Sequence, residues 1–161
     1  IHKGLYGIYI VDPLNDTRPK PDKELMFMMN GFDTNFDEEN EIYAVNTIAF
    51  YFVNHPIRVK QGELVRIYLA NMLEFDAINS FHVHANFFDE YKTGTSFDPN
   101  WFTDTTIMGQ GERSIVDIRF QFPGKYMFHA HKTEFAERGW MGFFRVVPDK
   151  DLATKRKPKR K

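Results

Sequence analysis

Short runs in which apolar and polar residues alternate recur along this chain and predict β-strands. Residues 64–69 and 114–120 show the alternation most clearly, as expected for strands with one face in a core and the other in solvent. Turn-forming residues separate such runs, at His55-Pro56 and Pro123-Gly124 among other places. This spacing predicts an antiparallel β-sandwich.

The pattern divides the chain into ten predicted strands and little else. We predict strands at residues 4–11, 25–29, 42–44, 50–53, 57–59, 64–70, 80–87, 113–120, 124–131 and 142–147. Residues 133–138 alone have a helical pattern, and residues 30–40 and 89–105 are predicted polar loops. The chain is thus divided into a terminal strand (1–13), a Pro-containing linker (14–24), one folded domain (25–149) and a tail (150–161).

Composition supports one folded domain and limits its chemistry. The chain has 161 residues, of which 16% are aromatic and 17 are Phe, which excludes a disordered protein. It contains no run of eighteen apolar residues, so no membrane span is expected. It begins without an initiator Met or a signal peptide, as a cut or processed end would. Cys is absent, so a metal site must use His, carboxylate or Met.

Charge is concentrated at one end of the chain. The net charge is −1, but residues 155–161 hold six of the 21 Lys and Arg. The remaining chain therefore has 15 positive against 22 negative side chains. A block of like charge of this kind is typical of a solvated, disordered tail, and no nucleic-acid partner is expected.

Four of the six histidines form two His-x-His pairs, His82-Val83-His84 and His129-Ala130-His131. Both pairs lie in predicted strands, where residues two apart share a face, so each pair presents two imidazoles side by side. Neutral imidazole is a common ligand of copper, zinc, iron and nickel. The alternative is four histidines with ordinary hydrogen bonds, which leaves the spacing unexplained. We therefore predict a metal site formed by these four side chains.

The residues around the pairs resemble the multicopper oxidase family. Residues 80–84 (SFHVH) resemble its His-Pro-Phe-His-Leu-His segment, and residues 124–140 resemble its closing His-Cys-His-x3-His-x3-Gly-Met/Leu motif. Between them, residues 104–107 and 111–113 resemble the family's Asp-Thr-Val and Pro-Gly-Glu segments. The resemblance covers residues 59–147 and indicates the second cupredoxin domain of a two-domain, laccase-like oxidase.

This resemblance implies a fold, a cofactor and partners. It implies an all-β, cupredoxin-like Greek-key β-sandwich in which His82, His84, His129 and His131 ligate copper. They would supply half of the ligands of a type 2 and type 3 trinuclear cluster that reduces dioxygen to water. A preceding cupredoxin domain or a neighbouring subunit would supply the other half, most simply in a homotrimer. The reducing substrate is unknown, and the resemblance implies a location outside the cytoplasm, secreted or periplasmic.

The chain departs from the family motif at the positions of the type 1 copper. Asn79, Ala130, Phe135 and Trp140 occupy them, without the thiolate and imidazoles that such a site needs. We therefore expect no type 1 copper in this domain. Met141 follows the axial position and is expected in the core.

The type 1 copper is instead expected in a preceding domain. Residues 4–13 resemble the end of a first cupredoxin domain, with Leu5 at the axial position of its copper. Electrons would then enter there and pass to the cluster.

Two other functions remain open. Copper nitrite reductases share this architecture, and His82 and His131 match two of their histidines, of which one is an active-site acid/base and one ligates a single type 2 copper. His84 and His129 replace apolar residues of that family. A mononuclear site has no use for those two imidazoles, so we favour the oxidase. A non-catalytic, copper-binding or structural domain, as in the degenerate cupredoxin repeats of blood-clotting cofactors, is the third possibility.

Other candidate residues have simpler interpretations. Met26, Met28 and Met29 could bind cuprous ion but suit a core strand better, and His55 suits a surface turn. Three carboxylates flank the histidines and could relay protons, although surface roles are the simpler interpretation: Asp76, Asp89 and Glu134.

Overall fold

The structure, a computed structural model, describes residues 5–149. Within that range it has eleven strands and two short helices. In chain order they are β1 Lys23–Phe32, β2 Ile42–Val45, α1 Tyr51–Asn54, β3 Ile57–Lys60, β4 Leu64–Asn71, β5 Ile78–Val83, β6 Phe88–Lys92, β7 Trp101–Thr103, β8 Thr105–Gly109, β9 Arg113–Arg119, β10 Gly124–His129, α2 Thr133–Glu137 and β11 Met141–Val147.

The strands form two sheets, which confirms the predicted cupredoxin-like Greek-key β-sandwich. Sheet A has the order β2-β1-β4-β9-β6-β7 and sheet B the order β3-β11-β10-β5-β8. β1 pairs with β4 in parallel, and so does β3 with β11. The expectation of a wholly antiparallel sandwich was therefore wrong, because alternation along a strand reports its buried face and not the direction of its neighbour.

Aromatic side chains fill the space between the sheets. Ring centroids of Phe27 and Phe128 lie 5.3 Å apart, and those of Phe81 and Trp140 6.2 Å apart. Each of these side chains is almost fully buried, which contributes roughly 1.5–3 kcal/mol per Phe to folding. Because Phe81 and Phe128 point into this core, the residues next to them on β5 and β10 point outward.

Two local predictions were wrong. The predicted strand at residues 50–53 is the helix α1, from which Phe52 stacks on Phe27 at 5.5 Å. The predicted loop at residues 89–105 contains β6 and β7. β6 was predicted as a loop because it contains charged residues. Its Glu90 is nevertheless buried, and it accepts hydrogen bonds from Thr106 Oγ1 and Ser114 Oγ.

The predicted terminal strand is also not formed. Residues 5–22 contain no strand, although Leu5, Tyr9 and Val11 are almost fully exposed while Tyr6 and Ile8 between them are half-buried. The segment around Pro19 contacts sheet A, because Arg66 Nη2 on β4 donates a hydrogen bond to Pro19 O (3.0 Å). The assignment of residues 1–13 to a neighbouring domain stays a prediction, and the predicted tail at 150–161 lies outside the described residues. No helix within residues 5–149 is long and apolar enough to cross a membrane.

Candidate metal centre

The antiparallel pairing of β5 with β10 brings the two His-x-His pairs together. In this register His82 lies directly opposite His129, and Phe128 lies opposite Val83. Val83 and Phe128 are fully buried, so the two histidines project from the outer face of sheet B, side by side. Side chains 47 positions apart in the sequence thus become nearest neighbours on one open surface.

Three of the four predicted ligands converge. Nε2 of His84 and Nε2 of His129 lie 2.8 Å apart. The His82 ring centroid lies 5.0 Å from that of His84 and 5.3 Å from that of His129. One nitrogen atom from each of these three rings lies within 4.8 Å of the others. The donor set is wholly imidazole, which suits copper.

The fourth predicted ligand, His131, lies beside this group and not within it. Its ring centroid is 5.0 Å from that of His82 and 6.1 Å from that of His129. Its backbone N–H donates to Ser80 Oγ (2.8 Å), which holds the chain just after β10 against β5. His131 therefore shares the face with the other three histidines but is not one of the group whose nitrogen atoms lie within 4.8 Å of one another.

Two of the histidines lie just outside the strands predicted to hold them. β5 ends at Val83 and β10 at His129, so His84 begins a turn and His131 follows a strand end. Both are exposed, whereas His82 and His129 are half-buried. The period of two still places all four rings on one side of the sheet.

The surroundings of His82 determine its tautomer. Its Nδ1 lies 2.9 Å from the backbone oxygen of Asp104 and 2.8 Å from Thr105 Oγ1. A carbonyl oxygen can only accept, so Nδ1 carries the proton and Nε2 keeps its lone pair. This arrangement, in which a hydrogen bond on one ring nitrogen orients the other, is typical of metal-binding histidines.

His129 is oriented in the same way. Its Nδ1 donates to the backbone oxygen of Ala130 (2.6 Å), which leaves the Nε2 lone pair directed at His84. Burial is the largest cause and lowers the pKa of both His82 and His129 below the usual value. Both rings are therefore neutral at neutral pH, as a metal ligand must be.

Asp104 and Thr105 belong to the site, although sequence reasoning assigned them no role. The Asp104 carboxylate accepts a hydrogen bond from Thr105 Oγ1 (3.0 Å) and lies 4.0 Å from His82 Nδ1. Its side chain is 44% exposed. The resemblance of residues 104–107 to a family motif could have drawn attention to them. The contact of Thr105 with His82, however, depends on the pairing of β5 with β8.

The four residues at the positions of the family's type 1 copper ligands are part of the buried core. Ala130, Phe135 and Trp140 are fully buried, and Asn79 is 2% exposed. The Phe135 ring stacks on Tyr43 at 4.0 Å. No atom in this set offers the thiolate or imidazole of such a site.

Met141 is not in the core, contrary to expectation. It is half-buried at the start of β11, where half-buried Met141 and Phe143 alternate with buried Gly142 and Phe144. Its register partner is His129. It therefore lies on the histidine face.

The remaining candidates lie apart from the imidazoles. Asp76 accepts hydrogen bonds from Tyr43 Oη (2.7 Å) and Lys132 Nζ (3.1 Å). Glu134 pairs with Arg138 at 3.2 Å, and Asp89 lies opposite Asp117 in sheet A. Met28 and Met29 are buried while Met26 is half-exposed, and His55 stacks on Tyr51 at the surface.

A groove adjoins the histidine face. It has a volume of about 390 Å³ and is lined by residues of β5 and β8 together with His131 and Lys132. Ile78 and Ile107 contribute to it and are each more than half exposed. The imidazoles thus lie on a partly apolar sheet surface.

The known proteins to which this chain is similar are copper-containing oxidoreductases. The family profile described as multicopper oxidase matches residues 16–150. A multicopper oxidase of known crystal structure is 56% identical in sequence and superimposes with a TM-score of 0.79. The match covers 81% of this chain and 46% of that one. The copper-containing nitrite reductase of Neisseria meningitidis is 27% identical over 91% of this chain and 42% of its own length. The copper nitrite reductase of Nitrosomonas europaea has the same fold, with a TM-score of 0.83 at 22% identity, over 91% of this chain and 56% of that one.

This chain spans less than half the length of the first two of these proteins. The family profile, in contrast, covers most of the chain, including both histidine pairs. On the strength of that match and of the fold, the chain belongs to the multicopper oxidase family.

Proposed function

We propose that this domain supplies His82, His84, His129 and His131 as half of the ligands of a trinuclear copper cluster that reduces dioxygen to water. The observation that carries the proposal is the convergence of three imidazoles within 4.8 Å, with a fourth beside them, on an exposed sheet face. Copper, when bound, would pass electrons from a reducing substrate to dioxygen. The protein's own contribution is to hold neutral imidazoles in fixed orientations and to present them to a partner surface.

The open face supports completion of the site by another domain. A trinuclear cluster needs about twice as many imidazoles as this face offers, and the chain has only six His. The half-exposed Ile78 and Ile107 beside the ligands are surface that a partner would bury. We assign that partner as a preceding cupredoxin domain or a neighbouring subunit, and a homotrimer is the simplest closed assembly.

Electron entry is assigned to the partner domain. This chain contains no Cys, and its four type 1 positions are packed into the core. The type 1 copper and the oxidation of a reducing substrate, whose identity is open, would then belong to that domain, as in laccase-like enzymes. Residues 1–13, which resemble the end of such a domain, are its proposed connection. A location outside the cytoplasm is part of this proposal and rests on resemblance alone.

Asp104 is the proposed proton donor of this half of the site. Its carboxylate is partly exposed, accepts a hydrogen bond from Thr105 Oγ1 and lies close to His82 Nδ1. Oxygen reduction to water consumes protons, and a carboxyl group at this position can deliver them. The flanking carboxylates Asp76 and Glu134 are engaged in ion pairs instead.

Nitrite reduction is the second candidate, because nitrite reductases are among the relatives over 91% of the chain. The positions of His84 and His129 argue against it. Their Nε2 atoms face each other at 2.8 Å, next to His82. A mononuclear copper held by a single imidazole from this domain would not need the two additional imidazoles of His84 and His129.

Copper stoichiometry and activity of the assembled protein would test the proposal. The full polypeptide, purified in its native oligomer, should contain three coppers per histidine face in addition to a type 1 centre, and should consume dioxygen with a reducing dye. One type 2 copper per face with nitrite-dependent nitric oxide production would establish the reductase instead. Little copper and no activity would establish a structural domain.

A further inference from the structure

Three outward residues of sheet B lie in one row across neighbouring strands. His82 on β5 is paired with His129 on β10, and His129 is paired with Met141 on β11. Side chains that are directly opposed in antiparallel strands have Cβ atoms about 4.5–5.5 Å apart on the same face. The Met141 thioether therefore borders the imidazole group on the side away from β8.

A second thioether lies on the same border. Met127 precedes His129 by two residues on β10 and shares its outward face, since Phe128 between them is buried. The backbone oxygen of Met127 accepts a hydrogen bond from the N–H of His84 (2.8 Å). Two methionines, both half-buried, thus lie next to two of the converging histidines.

The position of these methionines is unlike that of a core methionine. Met commonly fills irregular gaps inside a protein, as Met29 does here at 0% exposure. Met127 and Met141 instead lie on the outer face of sheet B and are only half-buried. Thioether sulfur is a soft ligand that favours cuprous ion, whereas imidazole also binds harder divalent ions well.

We propose that Met141, with Met127 beside it, adds sulfur ligation to the imidazoles, so that this exposed face captures cuprous ion when the chain acquires copper. The inference rests on the proposed copper function and extends it to a step before the partner covers the face. It assigns the face a preference for cuprous over divalent ions that four imidazoles alone would not have.

Competition titrations would test this proposal on the full-length protein. Cuprous ion would be titrated anaerobically, with a reductant, against a chromophoric cuprous chelator, and Zn²⁺ in parallel against a zinc indicator. The variants are Met141→Leu, Met127→Leu and the double variant, which conserve volume. The matched control is Met26→Leu, a half-exposed methionine on sheet A.

We expect the cuprous affinity of the double variant to fall at least about tenfold, with Zn²⁺ affinity unchanged and the Met26 variant unaffected. X-ray absorption of the cuprous wild-type protein should show a sulfur scatterer that the double variant lacks. Unchanged cuprous affinity, or an equal loss for both ions, would overturn the assignment. Wild-type protein that binds neither ion would instead refute the copper function itself.

Discussion

His84 and His129 face each other through their Nε2 atoms at 2.8 Å, one from the turn after β5 and the other from the end of β10. His129 donates its Nδ1 proton to Ala130 O, so its Nε2 presents a lone pair to His84. A proton on His84 Nε2 completes this contact in the metal-free chain. When that proton leaves or moves to Nδ1, the Nε2 lone pairs of both rings would be free to hold copper in place of this contact.

Removing either partner of this contact should disable the site. We expect His84→Val and His129→Val each to lower copper occupancy of the assembled protein and to abolish its oxygen consumption, because each removes one of the converging imidazole ligands. Metal analysis and an oxygen electrode are the measurements. His55→Val is the matched control, since His55 stacks on Tyr51 at the surface away from the site. Full activity in His84→Val would contradict the ligand assignment.

The hydroxyl of Thr105 should support metal affinity through His82. Thr105→Val keeps the shape of the side chain but removes the hydrogen bond to His82 Nδ1. Loss of such a contact to a ligand costs about 10–100-fold in metal affinity. A copper titration with Thr95→Val as control, an exposed threonine bonded to Thr93, would measure it. Equal affinity in the two variants would show that Asp104 O alone orients the ring.

The buried ion pair of sheet A should be sensitive to loss of one partner. Arg66 and Asp117 are joined by two hydrogen bonds of 2.7 and 2.8 Å with both side chains almost fully buried. Asp117→Ala leaves a buried cation without its partner, and we expect the free energy of unfolding to fall by about 3–5 kcal/mol. Glu134→Gln, which breaks an exposed pair with Arg138, should change it by less than about 1 kcal/mol. Chemical denaturation of both variants measures the contrast, and similar losses would contradict it.

Tyr68 should make the fold sensitive to alkaline pH. Burial, together with the hydrogen bond from its hydroxyl to Glu24 (2.6 Å), raises the pKa of Tyr68 to about 12. Because the folded pKa lies above the usual value near 10, this group's contribution is fully present below pH 10 and is lost as the pH rises towards 12. The pKa values of Tyr43 and Tyr91 are raised too, so the comparison is with Tyr68→Phe. The free energy of unfolding should fall less steeply above pH 10 in that variant, and equal slopes would refute this.

The chain's own pattern determined the kind of fold and the kind of site. Alternation in β4 and β9 predicted strands, but not that both of their faces are buried, the polar one through the Arg66–Asp117 ion pair. A His-x-His pair in a strand places both rings on one side. The four histidines, the absence of Cys and the filled type 1 positions are properties of residue identity. These properties could be read from the sequence without knowing which strands pair in the sheets.

Only the tertiary structure decided which residues meet. The register of β5 against β10 sets His82 beside His129, and β11 places Met141, expected in the core, on the same face. The pairing of β5 with β8 brings Thr105 to His82, and the burial of Glu90 between two hydroxyl groups allows a charged segment to form β6. The physical reason is that a strand's sequence encodes which of its faces is buried, whereas the identity, direction and register of its neighbour depend on packing between residues far apart in the chain.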